Sequence, residues 1–261
     1  MATFDIVTAA GNGYTKVWEE RHYLIGLALV PIIIKFACFV TMISMDVDDN
    51  HLRAALIMLP AYFAEGWMLA HWVRLITLGQ RWPFRPTGDD DKDMAALNDR
   101  ARGVLSGMII FVLIQMIITA LWAWVTTLPV DEEALKAPTM EMRLMSVAVF
   151  VFMLWGFRFL WFFIPAAANY SIKEFMKDIG HPKLSLYMIA VWLVCVVPGF
   201  ALMMGFTLPL LLSEGEDIPT AVQFGSAGVH VVLEAVINLL ATAGIAYGLK
   251  DMYSSRNGKT S

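Results

Sequence analysis

About six apolar stretches, each long enough to cross a lipid bilayer, recur along this chain of 261 residues. A spanning helix needs about 20 apolar residues, and the loops between these stretches are too short to hold a soluble domain. Their repetition predicts an all-α, polytopic transmembrane helical bundle of about six spans. The predicted spans cover 23–45, 54–78, 104–128, 144–168, 185–212 and 223–249.

The composition excludes several classes of protein. Hydrophobic residues make up 58% of the chain and charged residues 16%, whereas a soluble domain has about 45–50% and about 25%. The net charge of −4 provides no basic field for nucleic acid, so no nucleic-acid partner is expected. Cys38 and Cys195 both lie in apolar runs and indicate no disulfide framework.

The placement of lysine and arginine predicts the orientation. With the amino terminus inside, most of the 19 basic residues fall in inner segments, which is the positive-inside pattern. Both termini are therefore expected in the cytoplasm. Residues 1–22 are expected to form a cytoplasmic amphipathic segment with a short helix that lies in the membrane interface. Residues 23–249 are expected to form the six-span membrane domain and 250–261 a cytoplasmic tail. The outer loops carry the acidic runs DVDD at 46–49, DEE at 131–133 and EGED at 214–217.

The loop at about 79–102 contains the acidic run Asp89–Asp93. One interpretation is a divalent cation site or a contact for a partner protein. The other is a solvated loop that turns into the amino terminus of a helix near Met94, where acidic residues suit the helix dipole. The run lacks the ligand spacing of an EF-hand.

Four ionisable residues lie within the predicted spans, and each costs about 2.5–3.5 kcal/mol if it stays unpaired at the bilayer centre. Consecutive spans form a hairpin, so the first expected pair is Lys35 with Glu65, whose depths agree within a helical turn. The second expected pair is Arg158 with Glu234. Together they predict a charge network at mid-membrane.

Two interpretations of this network stay open. The four charges form a proton or ion relay or a polar substrate path, or they form structural ion pairs that fix the register of the helices. Pro31 and Pro60 lie just before Lys35 and Glu65. A proline frees a backbone carbonyl and kinks its helix, which suits a cavity or a gate, although proline is common in membrane helices.

The sixth predicted span places His230, Glu234 and Asn238 on one face, because they are four residues apart. This face is a candidate proton or ion face, with a proton-accepting dyad of His230 and Glu234 and with His71 as a further candidate. The alternative is a polar face packed against neighbouring helices. Neither a metal site nor a cofactor is predicted. The spacings Gly103…Gly107 and Gly244…Gly248 allow close helix packing, within the chain rather than between copies.

No Walker loop, nucleotide fingerprint, GxSxG or HExxH motif occurs, so no enzyme is expected. Two function classes remain. The first is a small transporter or permease-like protein for an ion or a small polar solute. The second is a membrane scaffold, either a homo-oligomer or a subunit of an envelope complex. The lipid bilayer is a partner in both cases.

Two stretches resemble a known group of proteins. They are EGWMLAHWVRLITLGQRWPF at 65–84 and FRFLWFFIPAAANYSIKEFMKDIGHPKLSL at 157–186. In layout they resemble uncharacterised six-span inner-membrane proteins of Gram-negative bacteria, the YciC-like and glycerophosphodiester phosphodiesterase membrane-domain-like proteins. The resemblance implies a helical bundle in the bacterial inner membrane. It implies no activity, because the catalytic domain of the phosphodiesterases has no counterpart here.

Overall fold

The computed structural model of the protein describes residues 5–45, 47, 51–127, 140–178, 182–211 and 219–257. Within these ranges every regular element is helical. Apart from Val47, the three acidic runs of the predicted outer loops lie outside the described residues. The helices are α1 (Ile6–Glu19), α2 (Arg21–Ser44), α3 (His51–Leu78), α4 (Asp90–Thr127), α5 (Met140–Gly156), a 3-10 helix (Phe157–Trp161), α6 (Phe163–Ala167), α7 (Ile172–Asp178), α8 (Pro182–Leu211) and α9 (Thr220–Asn257).

Five helical stretches are long and apolar enough to cross a membrane, which is compatible with an integral membrane protein. They are Arg21–Ser44, Asp90–Val125, Ser146–Ala167, Lys183–Phe206 and Ala221–Asp251. These match the first, third, fourth, fifth and sixth predicted spans. The second predicted span corresponds to α3, which is not among the five because Glu65, His71 and Arg74 reduce its apolar character.

Helix α3 lies at the centre of the bundle and packs against α2, α4, α6 and α9. Met68, Trp72 and Val73 are completely buried. The indole N–H of Trp72 donates a hydrogen bond of 2.9 Å to the carbonyl of Leu239 in α9. Nearly every residue from Glu65 to Ile76 is buried, so the polar groups in this part of α3 need partners, because water does not reach them.

Glycines allow the close packing around α3 and α4. A Cβ on Gly107 would lie 2.7 Å from the Cβ of Ala167, and one on Gly103 would lie 2.1 Å from Nη1 of Arg74. A Cβ on Gly244 would lie 2.8 Å from Sγ of Cys195. The small-residue spacings therefore pack helices of the same chain, as expected from the sequence.

The expected short amino-terminal helix is α1, and it packs against protein. Gly13 lies so close to Gly244 that a Cβ would meet its backbone nitrogen at 2.8 Å. The hydroxyl of Tyr14 donates to the carbonyls of Val194 and Cys195, each at 3.1 Å. Cys195 lies roughly 20 Å along α8 from its first residue, at the usual rise per residue. Helices α8 and α9 thus cover the apolar face of α1, while Trp18 is exposed.

The fourth predicted span is interrupted. Helix α5 ends at Gly156, and the 3-10 helix precedes α6. Pro165 has no N–H for a bond to the carbonyl of Trp161, so the α-helical ladder cannot continue unbroken through this point. Arg158 lies in the 3-10 helix rather than in the middle of a straight span.

Candidate functional site

The ammonium of Lys35 lies between two carboxylates. Its Nζ atom is 2.9 Å from Oε2 of Glu65 and 2.7 Å from Oε1 of Glu234. Lys35 and Glu65 are 5% and 4% exposed, so this pair is deeply buried. The expected contact between Lys35 and Glu65 is present, and Glu234 joins it from α9.

Two further polar side chains of α9 extend this cluster. The side-chain amide of Asn238 donates to Oε1 of Glu65. On the other side, Nε2 of His230 lies 3.7 Å from Oε2 of Glu234. The edge of the Phe39 ring packs against the imidazole. The four-residue spacing on α9 therefore places all three side chains along the same polar path, which we call the Lys35 network: Asn238, Glu65, Lys35, Glu234 and His230.

The helices explain why these residues meet. Lys35 and Glu65 lie on α2 and α3, which pack against each other, and α9 packs against both. The space beside Lys35 and Glu65, which Pro31 and Val231 help to line, has a volume of about 10 Å³. That is room for about one water molecule. The buried end of the network is consequently almost dry.

The charges of the Lys35 network do not balance when both carboxylates are ionised. One ammonium faces two carboxylates, which leaves one negative charge in excess. The side chains of His230 and Glu234 are about one third exposed, whereas Lys35 and Glu65 are buried. The network therefore has one buried end and one partly exposed end.

The expected pair between Arg158 and Glu234 is wrong. The 3-10 helix that carries Arg158 packs against α5, α6 and α8, whereas Glu234 contacts Lys35 on α2. The guanidinium of Arg158 instead lies over the ring of Trp155, 4.5 Å from its centroid, and over Phe159 at 5.3 Å. Such contacts stabilise a cation through the electron-rich face of the ring.

His71 lies apart from the network. Its ring is buried. The centroid of the imidazole lies 4.8 Å from the centroid of the Trp67 ring, in an edge-on arrangement, and 5.0 Å from the centroid of the Trp82 ring. The structure thus gives His71 an aromatic environment and does not place it beside His230. Over the described ranges, no group of three or more histidine, cysteine, aspartate or glutamate residues is arranged to hold a metal ion.

The acidic run Asp89–Asp93 makes hydrogen bonds and an ion pair at the amino terminus of α4. Both carboxylate oxygens of Asp93 accept hydrogen bonds of 2.9 Å from the backbone N–H of Thr87. The ammonium of Lys92 lies 2.7 Å from Asp89, and its hydrogen bond holds the pKa of Asp89 below its usual range. These contacts agree with the helix-terminus interpretation of the run.

A second cavity, of about 150 Å³, adjoins the buried end of the network. Its wall is mostly apolar, with aromatic and aliphatic side chains, but Gln115, Asn238 and Thr242 add polar groups. The indole N–H of Trp161 in this wall is buried and has no hydrogen-bond acceptor among the described residues. Asn238 therefore connects this cavity to Glu65. Thr242 lies four residues after Asn238. The four-residue spacing of His230, Glu234 and Asn238, continued by one helical turn, therefore indicates Thr242 as well.

Sequence reasoning also missed a buried arginine. Arg74 is completely buried, and its Nη1 donates a hydrogen bond of 2.8 Å to the carbonyl of Ala167. Its Nε and Nη2 donate to Oε1 of Gln80, and Nη2 also pairs with Asp99. The side-chain amide of Asn169 donates 2.7 Å to Asp99. In the sequence, Arg74 is indistinguishable from the other basic residues at the inner end of a span.

The chain matches no protein-family model, and no curated protein or solved structure is significantly similar to it. The resemblance to six-span inner-membrane proteins therefore stays a prediction.

Proposed function

We propose that this chain is a small membrane transporter that moves protons, alone or coupled to a small polar solute, through the Lys35 network. One observation carries the proposal: a single ammonium is shared by two carboxylates within a polar path. That path runs from the cleft at Asn238 to His230, whose side chain is about one third exposed. Ionisable residues inside membrane helices commonly form proton relays.

The length of the polar path supports this proposal. His230, Glu234, Asn238 and Thr242 follow one face of α9, and twelve residues of helix extend about 18 Å. That is more than half of the hydrocarbon thickness of a bilayer, which is about 30 Å. A proton needs only hydrogen-bonding groups and an occasional water molecule, so the 10 Å³ space beside Lys35 is no obstacle to it.

The proposal includes α3 as a sixth span. Its 28 residues would extend about 42 Å, which is sufficient to cross the membrane. Its polar side chains have partners inside the bundle, since Glu65 contacts Lys35 and Arg74 contacts Asp99. Six spans together with the positive-inside rule support a cytoplasmic location of both termini. We propose the bacterial inner membrane as the location.

Proton flux into vesicles tests the proposed function. The purified protein is reconstituted into liposomes that contain a pH-sensitive dye, and a potassium gradient with valinomycin imposes a membrane potential. We expect proton uptake that falls to the rate of protein-free vesicles in Glu65→Gln and Glu234→Gln. The control is Glu174→Gln, which removes an exposed carboxylate on α7 and should leave the flux unchanged. Uptake that is equal in all variants would refute the proposal.

A membrane scaffold is the second candidate, and one observation favours it. Helix α5 exposes nearly every large apolar side chain, and Val147, Phe150 and Phe152 are each at least 60% exposed. Such a face is covered by lipid or by another protein chain. If the vesicles show no flux and chemical crosslinking from α5 captures a second copy or an envelope protein, the scaffold function replaces the transporter.

A further inference from the structure

A cleft of about 530 Å³ lies at the junction of α2, α4 and the loop that follows α3. This volume is within the usual range of ligand sites, about 300–1,000 Å³. Its wall combines guanidinium groups with aromatic rings: Tyr23, Arg81, Trp82, Phe84, Arg85 and Arg100. The cleft is remote from the Lys35 network and shares no lining residue with it.

The charge of the cleft is strongly positive. Arg100 is 8% exposed; its Nη1 donates 2.8 Å to the carbonyl of Arg81, and its guanidinium lies over the Phe84 ring. No carboxylate in the described part of the chain pairs with Arg100 or Arg85. Only Arg81 has an acidic partner, Glu20 at 2.6 Å, which Lys16 also contacts. The cleft thus holds more guanidinium groups than carboxylates.

A guanidinium that lines a cleft without a carboxylate partner is stabilised further when an anion binds beside it. Arginine pairs with phosphate through two parallel hydrogen bonds, which makes it the usual residue at such sites. The hydroxyl of Tyr23 accepts a 3.1 Å hydrogen bond from the N–H of Trp82, so its own proton is free to be donated to an anion. The cleft therefore offers both charge and directed donors.

We propose that this cleft binds a phosphate-bearing anion through Arg85 and Arg100, with Tyr23 as a further donor. The expected source is the headgroup of an anionic phospholipid. The cleft lies at the ends of the first two predicted spans, and Trp82 is exposed there. Aromatic rings and basic groups at the end of a membrane helix are typical of the headgroup region.

Native mass spectrometry of the full chain in detergent tests the site. The probes are short-chain phosphatidylglycerol, phosphatidylcholine of the same chain length and free glycerol phosphate. Wild type should bind phosphatidylglycerol in preference to phosphatidylcholine. The variant Arg85→Gln should bind phosphatidylglycerol about fivefold more weakly than wild type. The double variant Arg85→Gln with Arg100→Gln should bind it about fivefold more weakly again. The matched control is Arg102→Gln, an exposed residue of α4 outside the cleft.

The outcomes are distinct. Loss of phosphatidylglycerol binding in the cleft variants, with Arg102→Gln unchanged, supports a headgroup site. Binding of glycerol phosphate with the same arginine dependence and no preference for the lipid supports the site and assigns it to a free phosphate compound. Equal binding of all probes by wild type and Arg85→Gln would overturn the proposal. Arg85 is exposed, so this single variant remains informative if Arg100→Gln does not fold.

Discussion

Lys35 and Glu234 lie near opposite ends of the chain, yet Nζ of the lysine is 2.7 Å from Oε1 of the glutamate. The same ammonium also contacts Glu65. Helices α2, α3 and α9 are therefore joined at one buried point by a single positive charge.

Removal of the shared ammonium is expected to destabilise the protein strongly. Lys35→Met leaves Glu65 and Glu234 facing each other without a cation, and breaking a buried ion pair costs about 3–5 kcal/mol. The free energy of unfolding is measured by titration with a denaturing detergent. Lys173→Met, which removes an exposed lysine on α7, is the control. A stability of Lys35→Met equal to that of the control would contradict the geometry.

Exchange of the charges of Lys35 and Glu65 is not expected to restore the free energy of unfolding to that of the wild type. In the double variant Lys35→Glu with Glu65→Lys, the new carboxylate at position 35 would lie beside Glu234, and like charges in a buried site repel each other. A triple variant that adds Glu234→Gln should recover part of the loss. The same detergent titration measures the free energy of unfolding of the wild type, the double variant and the triple variant. Full recovery in the double variant alone would mean that Glu234 does not belong to the network.

The substitution Gly103→Ala tests the packing of α4 against α3 and α6. A Cβ at position 103 would meet Nη1 of Arg74 at 2.1 Å and the carbonyl of Ala167 at 2.5 Å. We expect Gly103→Ala to lower the free energy of unfolding by about 1–3 kcal/mol, the usual cost of overpacking. Gly11→Ala on α1 has no atom within 4 Å of the added Cβ. It should be neutral or stabilise by up to about 1 kcal/mol.

Thiol labelling distinguishes the open end of the network from its dry core. In a background that lacks Cys38 and Cys195, the proposed proton path requires His230→Cys to react with a membrane-impermeant maleimide, since the histidine side chain, 36% exposed on the protein surface, would be the water-accessible end of that path. Val231→Cys is the matched control, since Val231 is the next residue of α9 and is completely buried. Protection of both positions would mean that water does not reach the network, which would favour the scaffold function.

The sequence predicted those features that depend on local pattern and chain connectivity. Long apolar runs specify helices regardless of their neighbours, since a helix satisfies its own backbone hydrogen bonds. The contact between Lys35 and Glu65 was predictable for a related reason. A short loop between two spans forces them to pack together, so residues at equal depth meet.

The remaining features required the tertiary structure. The partner of Glu234 depends on which face of α9 meets α2, and many side chains far apart in the sequence decide this together. The position of α1 depends on Gly13 and Gly244, two small residues whose significance appears only when the helices are in contact. The sequence by itself predicted the apolar stretches that form helices, their order, and the contact between Lys35 and Glu65, whereas the break of the fourth span appeared only in the structure. Only the packing of non-adjacent helices decided the shared ammonium, because no covalent connection holds α2 and α9 at a fixed distance.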